Sequence, residues 1–163
     1  KLETRNSKLE TRNSKLETRN SKLETRTMEN IEMSKQQIRV AAAIIYRDGQ
    51  FLLSKRLDHQ HQGGKWEFPG GKVEPNESIE QALNRELKEE LDIETEQQQH
   101  FHSLEFEYPE KHVSLVFQLV RDFEGEARGV EGQEVRWFSK TQLSELSFPD
   151  ANVPVLEKIA AQL

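Results

Sequence analysis

The stretch from Ser78 to Leu91, SIEQALNRELKEEL, constrains the chain more than any other. On an ideal helix at about 100° per residue, with Ile79 at zero, Ala82 falls at about 300°, Leu83 at about 40° and Leu87 at about 80°. These residues make the apolar stripe that must face a core. Glu86 and Glu90 fall at about 340° and about 20°, in the middle of that stripe. An ionised carboxylate held there without a partner costs several kcal/mol. Glu89 lies between them, so Glu86, Glu89 and Glu90 stand at i, i+3 and i+4 and point into one patch. An acidic run on a helix is ordinarily a solvated face, but this spacing places like charges where they repel one another. A bound hard cation with oxygen ligands reverses the sign of that interaction. Arg85, one turn before Glu89, can hold that carboxylate in place. Ser78 fits an N-cap, with Gln81 at the reciprocal capping-box position and glutamates around the first turn.

The residues before this helix read as strands. Ile38 to Tyr46 is almost wholly apolar (IRVAAAIIY), which suits a strand buried on both faces. Asp48-Gly49 is a two-residue hairpin signal, and Phe51 to Ser54 returns as the partner strand. Lys55 to Gly64 is polar and ends in two glycines, as a surface loop does. Trp66 to Val73 (WEFPGGKV) is a short extended segment interrupted by Pro69-Gly70-Gly71.

After the helix, Phe101 to Tyr108 alternates, with Leu104 one position out of step. Val113, Leu115, Phe117 and Leu119 alternate cleanly, and the two segments suit an antiparallel pair. The acidic, glycine-containing stretch from Phe123 to Gly132 is expected to be a loop, followed by a strand at Val135 to Phe138. Ser139 with Gln142 repeats the capping-box pattern, and Val153 to Leu163 suits a terminal helix. Strands mixed with three helices in one short chain predict an α/β sandwich.

The first 27 residues stand apart. KLETRNS occurs three times in succession and a fourth copy ends as KLETRT before Met28. Each copy offers one leucine per seven residues, half of what a coiled-coil seam requires. Residues 1–27 are therefore expected to be a leader outside the natural protein, and residues 28–163 a single domain starting at Met28 or Met33. A genuine repeat array is the alternative. Beyond the leader, 15 basic residues face 25 acidic ones. Such a domain repels nucleic acid polymers and anionic membrane surfaces. If it handles a phosphate compound, a divalent metal is the obvious source of positive charge. The chain has no cysteine, which excludes disulfides, thiolate metal sites and cysteine nucleophiles. No apolar run approaches membrane-spanning length. A cytoplasmic monomer is expected.

GKVEPNESIEQALNRELKEELDI resembles the Nudix box, G-x5-E-x7-R-E-U-x-E-E-x-G-U with U aliphatic. Gly71, Glu77, Arg85, Glu86, Leu87, Glu89, Glu90 and Ile93 match at the required spacing. Asp92 departs from it, standing where the family usually has a glycine that closes the helix in a left-handed conformation. The resemblance implies a Nudix-type α/β/α sandwich with a mixed sheet and a catalytic loop-helix. Together WEFPGGKVE, YPEKH, EGQE and FPDANVPVLEKI look like the MutT-type branch, which acts on oxidised guanine nucleotides; this likeness runs from Ile38 to the C-terminus.

The resemblance also implies roles for individual residues. The Gly70 carbonyl and Glu90 would be metal ligands, with Glu86 and Glu89 completing the cluster. The metal would be Mg²⁺, with Mn²⁺ able to replace it. Glu131 would approach the metal or the attacking water, with Arg85 among the catalytic group. Arg56 and His61 would touch the substrate, and Glu67, Phe68, Pro69 and Gly70 would line the nucleotide pocket. The reaction implied is hydrolysis of a nucleoside triphosphate to a monophosphate and pyrophosphate, without a covalent intermediate.

Asn152 bears on which base is bound. Guanine presents two acceptors on its Hoogsteen edge, whereas the 8-oxo form carries hydrogen on N7, giving an acceptor and a donor. An asparagine amide is itself donor and acceptor and can meet the oxidised edge with two hydrogen bonds. The other reading of Asn152 is an N-cap of the terminal helix; the likeness of FPDAN to the family's corresponding segment implies base recognition. Two further functions compete. A CTP-type pyrophosphohydrolase of the same fold shares WEF-x-GGKVEP-x-ES but lacks the late asparagine. A non-catalytic nucleotide-binding Nudix domain would have lost box glutamates, and Glu77, Glu86, Glu89 and Glu90 are all present here.

Overall fold

Strand β1 (Gln36–Arg47) is the axis of the molecule. In the computed structural model, which describes residues 35–163, Ala41 to Ile45 are all buried. Alternation along the strand divides them between two cores. Ala41, Ala43 and Ile45 face one cluster, and Ala42 and Ile44 face the other. The unbroken apolar run is thus the signature of a strand covered on both sides. The repeats of residues 1–27 and the expected start at Met28 or Met33 lie outside the described residues. Gln37–Tyr108 and His112–Leu163 form one compact unit, and the remaining described residues fall in a second unit.

Asp48 and Gly49 both take positive φ (52° and 76°), as a two-residue turn of the primed kind demands. β2 (Gln50–Lys55) returns antiparallel to β1, with Ile45 opposite Leu52. β3 (Trp66–Glu67) and β4 (Gly70–Lys72) follow, pairing with β2 and β1 respectively. The expected interruption at Pro69-Gly70-Gly71 is therefore shifted. The break falls at Phe68-Pro69, and both glycines belong to a strand. The reason lies in close approach: a Cβ on Gly70 would sit 2.0 Å from the Ala41 carbonyl oxygen.

Helix α1 (Ile79–Leu91) is capped by Ser78, whose side chain accepts from the Gln81 N–H while the Gln81 side chain answers the Ser78 N–H. Its Leu83, Leu87 and Leu91 are fully buried against Ala41, Ala43, Ile45 and Leu52. Each such burial contributes roughly 1.5–3 kcal/mol. The helix closes at Asp92, which takes φ 58° and ψ 39° in the left-handed region.

β6 (Gln99–Glu107) and β7 (Lys111–Val120) pair antiparallel, with a bulge between His100 and His102. The bulge explains the broken parity: Phe101 is its extra residue, and both it and Leu104, three positions on, reach the core. β7 neighbours β1, and β9 (Val135–Ser139) pairs β2, completing a seven-stranded mixed sheet. One part of the sequence reading needs correction. Phe123 to Gly132 is not wholly loop, because β8 (Phe123–Glu124) pairs with β5 (Glu94–Thr95) in a separate two-stranded sheet. A short capped helix α2 (Lys140–Leu143), a 3-10 turn at Asp150–Asn152 and helix α3 (Val153–Gln162) end the chain. Val155 and Ile159 of α3 pack with Ile44, Phe51, Leu53 and Phe117, so α1 and α3 cover opposite faces of the sheet.

Candidate active site

The N-terminal end of α1 is tied by an arginine clasp. Arg85 donates from Nε to Glu77 Oε2 and from Nη2 to Glu77 Oε1, both at 2.9 Å. The same Nη2 reaches the Lys72 carbonyl at 3.0 Å, joining the helix to β4. Glu77 also accepts the Glu74 N–H at 2.8 Å. With three donors on one carboxylate, its pKa falls to about 2, chiefly through the Arg85 hydrogen bonds. Arg85 is in turn held charged beyond its ordinary range. The sequence suggested that Arg85 steadies Glu89. Its stronger partners are Glu77 and Glu86, the latter through Nη1 at 2.9 Å, while Glu89 Oε2 lies 3.5 Å away.

Toward the C-terminal end Glu90 stands in the opposite condition. Glu90 is partly buried, and the charges that act on it are those of Glu86, Glu131 and Glu67, all carboxylates. Burial first, then these neighbours, push its pKa up to about 8, against one favourable hydrogen bond from the Gly70 N–H. Glu90, Glu67 and Glu131 meet at a cavity of about 40 Å³ also lined by Ser54, Lys55, Gln60 and Gln133. Gly71 lies directly under Glu86; a Cβ there would be 2.3 Å from the Glu86 carboxyl carbon. Glycine at this position leaves the Glu86 carboxylate room to lie over β4.

Glu131 reaches the cavity because its loop docks on the end of α1. The last carbonyls of a helix have no partner inside it. Here the Arg128 N–H donates to the Leu91 carbonyl and the Val130 N–H to the Glu90 carbonyl, both at 3.0 Å. Across the cavity, Arg56 donates from Nη1 to Glu67 Oε2 at 2.5 Å and from Nε to the His61 carbonyl at 2.6 Å. Burial raises the Glu67 pKa, and the Arg56 guanidinium opposes that rise. His61 itself is exposed. Phe68 and Pro69 are buried, with the Phe68 ring stacked on Phe148 at 5.6 Å and edge-on to Phe117 at 5.9 Å. Of the segment Glu67 to Gly70, only the outer pair reaches the acidic site: Glu67 at the cavity and Gly70 through its N–H to Glu90.

Asn152 lies in the 3-10 turn before α3, 7% exposed, and makes no side-chain cap on that helix. Its neighbours Asp150, Ala151 and Pro154 line a larger cleft of about 590 Å³, with Leu104, Phe106, Tyr108 and Leu115 from β6 and β7, Val40 from β1, and Gln62. The cleft is mainly apolar-walled and broad enough for a heterocyclic base.

A model of the NUDIX domain matches residues 40–158, which includes every part of this site. The chain belongs to the Nudix hydrolase family. It is 40% identical over 125 residues to an 8-oxo-dGTP diphosphatase of Escherichia coli, covering 76% of this chain and 97% of that protein. It is 41% identical over 126 residues to a CTP pyrophosphohydrolase of the same organism, covering 77% and 93%. Among solved structures it is similar to MutT from a study of Aliivibrio salmonicida and Vibrio cholerae. The TM-score there is 0.72 at 42% identity, with 78% of this chain and all of that one covered. The solution structure of the E. coli ORF135 protein gives a TM-score of 0.71 at 41% identity, covering 79% and 92%.

Nudix hydrolases use divalent metal ions, so the acidic site can be tested for fit. Its donors are hard carboxylate and carbonyl oxygens, the set such ions take. The charges that act on Glu90 are those of three further acids, Glu86, Glu131 and Glu67, and a cation answers them. In the arrangement seen here, no three acidic or histidine side chains among the described residues converge closely enough to hold an ion. The expectation that Glu86, Glu89 and Glu90 point into one patch therefore holds for their positions on the Nudix helix but not for their side-chain directions. Arg85 draws Glu86 aside, and the Glu89 side chain is 57% exposed. Sequence reasoning also passed over Gln133 and Ser54, which line the same cavity. Gln133 belongs to the EGQE segment without having been given a role there, and nothing local marks Ser54; one arrives on the loop that docks on α1 and the other on β2.

Proposed function

We propose that this Nudix hydrolase converts 8-oxo-dGTP to 8-oxo-dGMP and pyrophosphate, with Mg²⁺ as its metal and Mn²⁺ able to replace it, and so clears an oxidised guanine nucleotide from the pool. One observation carries the choice of base. Asn152 is buried, forgoes the cap that would otherwise explain it, and stands in the turn whose other two residues, Asp150 and Ala151, line the apolar cleft. The identity to 8-oxo-dGTP diphosphatases, 40% and 42% for those of E. coli and Haemophilus influenzae, supports the same reading.

The Gly70 carbonyl with Glu86, Glu89 and Glu90 would hold the metal. When bound, the ion offsets phosphate charge and makes a neighbouring water more acidic. The residues of the chain do the rest. Arg85 ties the start of the helix to Glu77 and to the Lys72 carbonyl of β4. Glu131, facing Glu90 across the cavity, takes the proton of the attacking water. The water oxygen bonds to phosphorus and the bridge between the α- and β-phosphates breaks, giving the monophosphate and pyrophosphate. Arg56, a permanent cation, supplies charge to the phosphates. Phe68, with Phe117 and Phe148 behind it, keeps the adjoining main chain rigid, and Asn152 reads the oxidised edge of the base.

A second reading has its own support in the 41% identity to a CTP pyrophosphohydrolase. Pyrophosphate release across ordinary and oxidised nucleotides with Mg²⁺ separates the two. Asn152→Ala should cut the preference for 8-oxo-dGTP over dGTP by about one to two powers of ten, the worth of a discriminating bidentate contact. Hydrolysis itself should suffer less. An unchanged ratio, or a wild-type preference for CTP, would overturn the reading of the base.

A further inference from the structure

Gln133 bridges the two acids of the cavity through their main chains. Its Nε2 donates to the Glu90 carbonyl at 3.0 Å, and its Oε1 accepts the Glu131 N–H at 2.9 Å. The primary amide does both at once, its nitrogen donating and its oxygen accepting. The loop it fastens is turned tightly. The Gly132 N–H donates to the Gly129 carbonyl at 3.1 Å, and a Cβ on Gly129 would fall 1.9 Å from the Gln133 carbonyl oxygen. The loop's other anchors, Arg128 to Leu91 and Val130 to Glu90, hold its near side. The Glu131 N–H finds its partner in Gln133 Oε1, and the Glu131 side chain is exposed. Gln133 lines the same cavity as both acids.

We propose that Gln133 is a positioning residue: its amide sets the distance and direction of Glu131 relative to Glu90, and so the alignment of the proton acceptor. The proposal rests on the reading that Glu131 acts in hydrolysis. A general base must sit within hydrogen-bond reach of the proton it takes. Misplacing such a group by about 1 Å can cost about a hundredfold in rate.

The test is a double-mutant cycle on 8-oxo-dGTP hydrolysis with Mg²⁺, using Gln133→Ala, Glu131→Ala and both together. Gln133→Ala should lower kcat by about one to two powers of ten with KM changed by less than about threefold. In the Glu131→Ala background the same change should cost nothing further, because no base remains to be positioned. Amide hydrogen exchange supplies a readout independent of turnover. Gln133→Ala should speed exchange of the Glu131 N–H while the Val130 N–H, bonded to Glu90, keeps its protection. If Gln133→Ala fails to fold, Gln133→Asn retains the amide on a stem one methylene shorter and should lower kcat in the same direction. Costs that add in the double variant, or wild-type kcat in Gln133→Ala, overturn the proposal while leaving Glu131 as the base. A silent Glu131→Ala overturns both the proposal and the reading of Glu131. Absence of 8-oxo-dGTP hydrolysis by the wild type overturns the proposed substrate alone, and the same cycle then runs on the nucleotide it does hydrolyse.

Discussion

The two ends of α1 present the same chemical group in opposite conditions. Before its first turn, Glu77 accepts two hydrogen bonds from Arg85 and one from the Glu74 N–H, and its pKa falls to about 2. In its last turn, Glu90 is partly buried among Glu86, Glu131 and Glu67, has the Gly70 N–H for comfort, and is pushed up to about 8. The helix dipole works in the same sense, favouring an anion at the start and opposing one at the end. Burial is the largest cause of the Glu90 rise, yet the Glu77 side chain is itself only 18% exposed, and what holds its pKa down is first the Arg85 guanidinium. An acid whose charge is answered within the chain belongs to the scaffold, and one whose charge is left unanswered has its partner elsewhere, in a cation. Arg85 stands between the two, bonded to Glu77 on one side and Glu86 on the other.

The widest test of this contrast exchanges each acid for its amide. Glu90→Gln should lower turnover by about a thousandfold, the scale on which removing a charge-stabilising group acts. It should leave the metal-free melting temperature unchanged or higher, because it relieves repulsion. Glu77→Gln should do the reverse, lowering the melting temperature while costing turnover much less. Turnover of Glu90→Gln within twofold of wild type would remove Glu90 from the metal site. A neutral Glu77→Gln would show that the clasp is not structural.

The pH dependence of melting in chelator sharpens the same contrast at a smaller scale. Glu90 has a folded pKa raised from 4.5 to about 8. It binds its proton more tightly when folded, so its contribution is fully favourable below about 4.5 and is lost as pH rises through about 8. The melting temperature of Glu90→Gln relative to wild type should therefore climb across that window and level off above it. Glu77 has a folded pKa lowered to about 2. Its stabilisation is present above about 4.5 and is lost as pH falls through about 2, so the deficit of Glu77→Gln should shrink on acidification. Differences that stay flat with pH would break the assignment of opposite environments.

What could be read beforehand divides along the same line. The Ser78 and Ser139 capping boxes, the Asp48-Gly49 hairpin and the doubly covered β1 are local patterns, and each folds as written. The placement of Glu86 and Glu90 on the apolar stripe needed only the period of a helix. What stayed hidden depends on distant partners. β5 and β8 have two residues each, too few for any periodicity, and they find one another across the whole of β6 and β7. The grip of Arg56 on Glu67 and the bridge from Gln133 to Glu90 are pairings that no local pattern states, although the segments themselves stand out. The bulge before His102 did leave a trace, in Leu104 falling out of step, but parity alone does not say on which side the extra residue lies. Side-chain direction was the least legible. The wheel puts Glu89 with Glu86 and Glu90, whereas the pull of Arg85 and solvent decide where each carboxylate points.

The smallest expected effect tests how far the functional end of α1 extends. Asp92 closes the helix at φ 58° and ψ 39°, where a side chain is disfavoured and glycine is at ease. Its carboxylate takes Lys88 Nζ at 3.0 Å and Arg128 Nε at 3.4 Å, both exposed pairs. Asp92→Gly relieves the backbone and removes both contacts, and it also gives the unfolded chain more freedom to lose. Exposed pairs contribute little and are screened by salt. The melting temperature should therefore move by less than about 4 °C, and the difference should shift in favour of the variant as salt is raised. Turnover is the more telling measurement, because Arg128 opens the loop that carries Glu131. The main-chain bonds from Arg128 to Leu91 and from Val130 to Glu90 do not involve the Asp92 side chain. If they and Gln133 hold the loop, kcat should stay within a factor of about two of wild type. A tenfold loss of kcat without a change in melting temperature would show that the Asp92–Arg128 pair aligns Glu131 as well. The boundary between scaffold and site would then lie one residue beyond the helix rather than at Glu90.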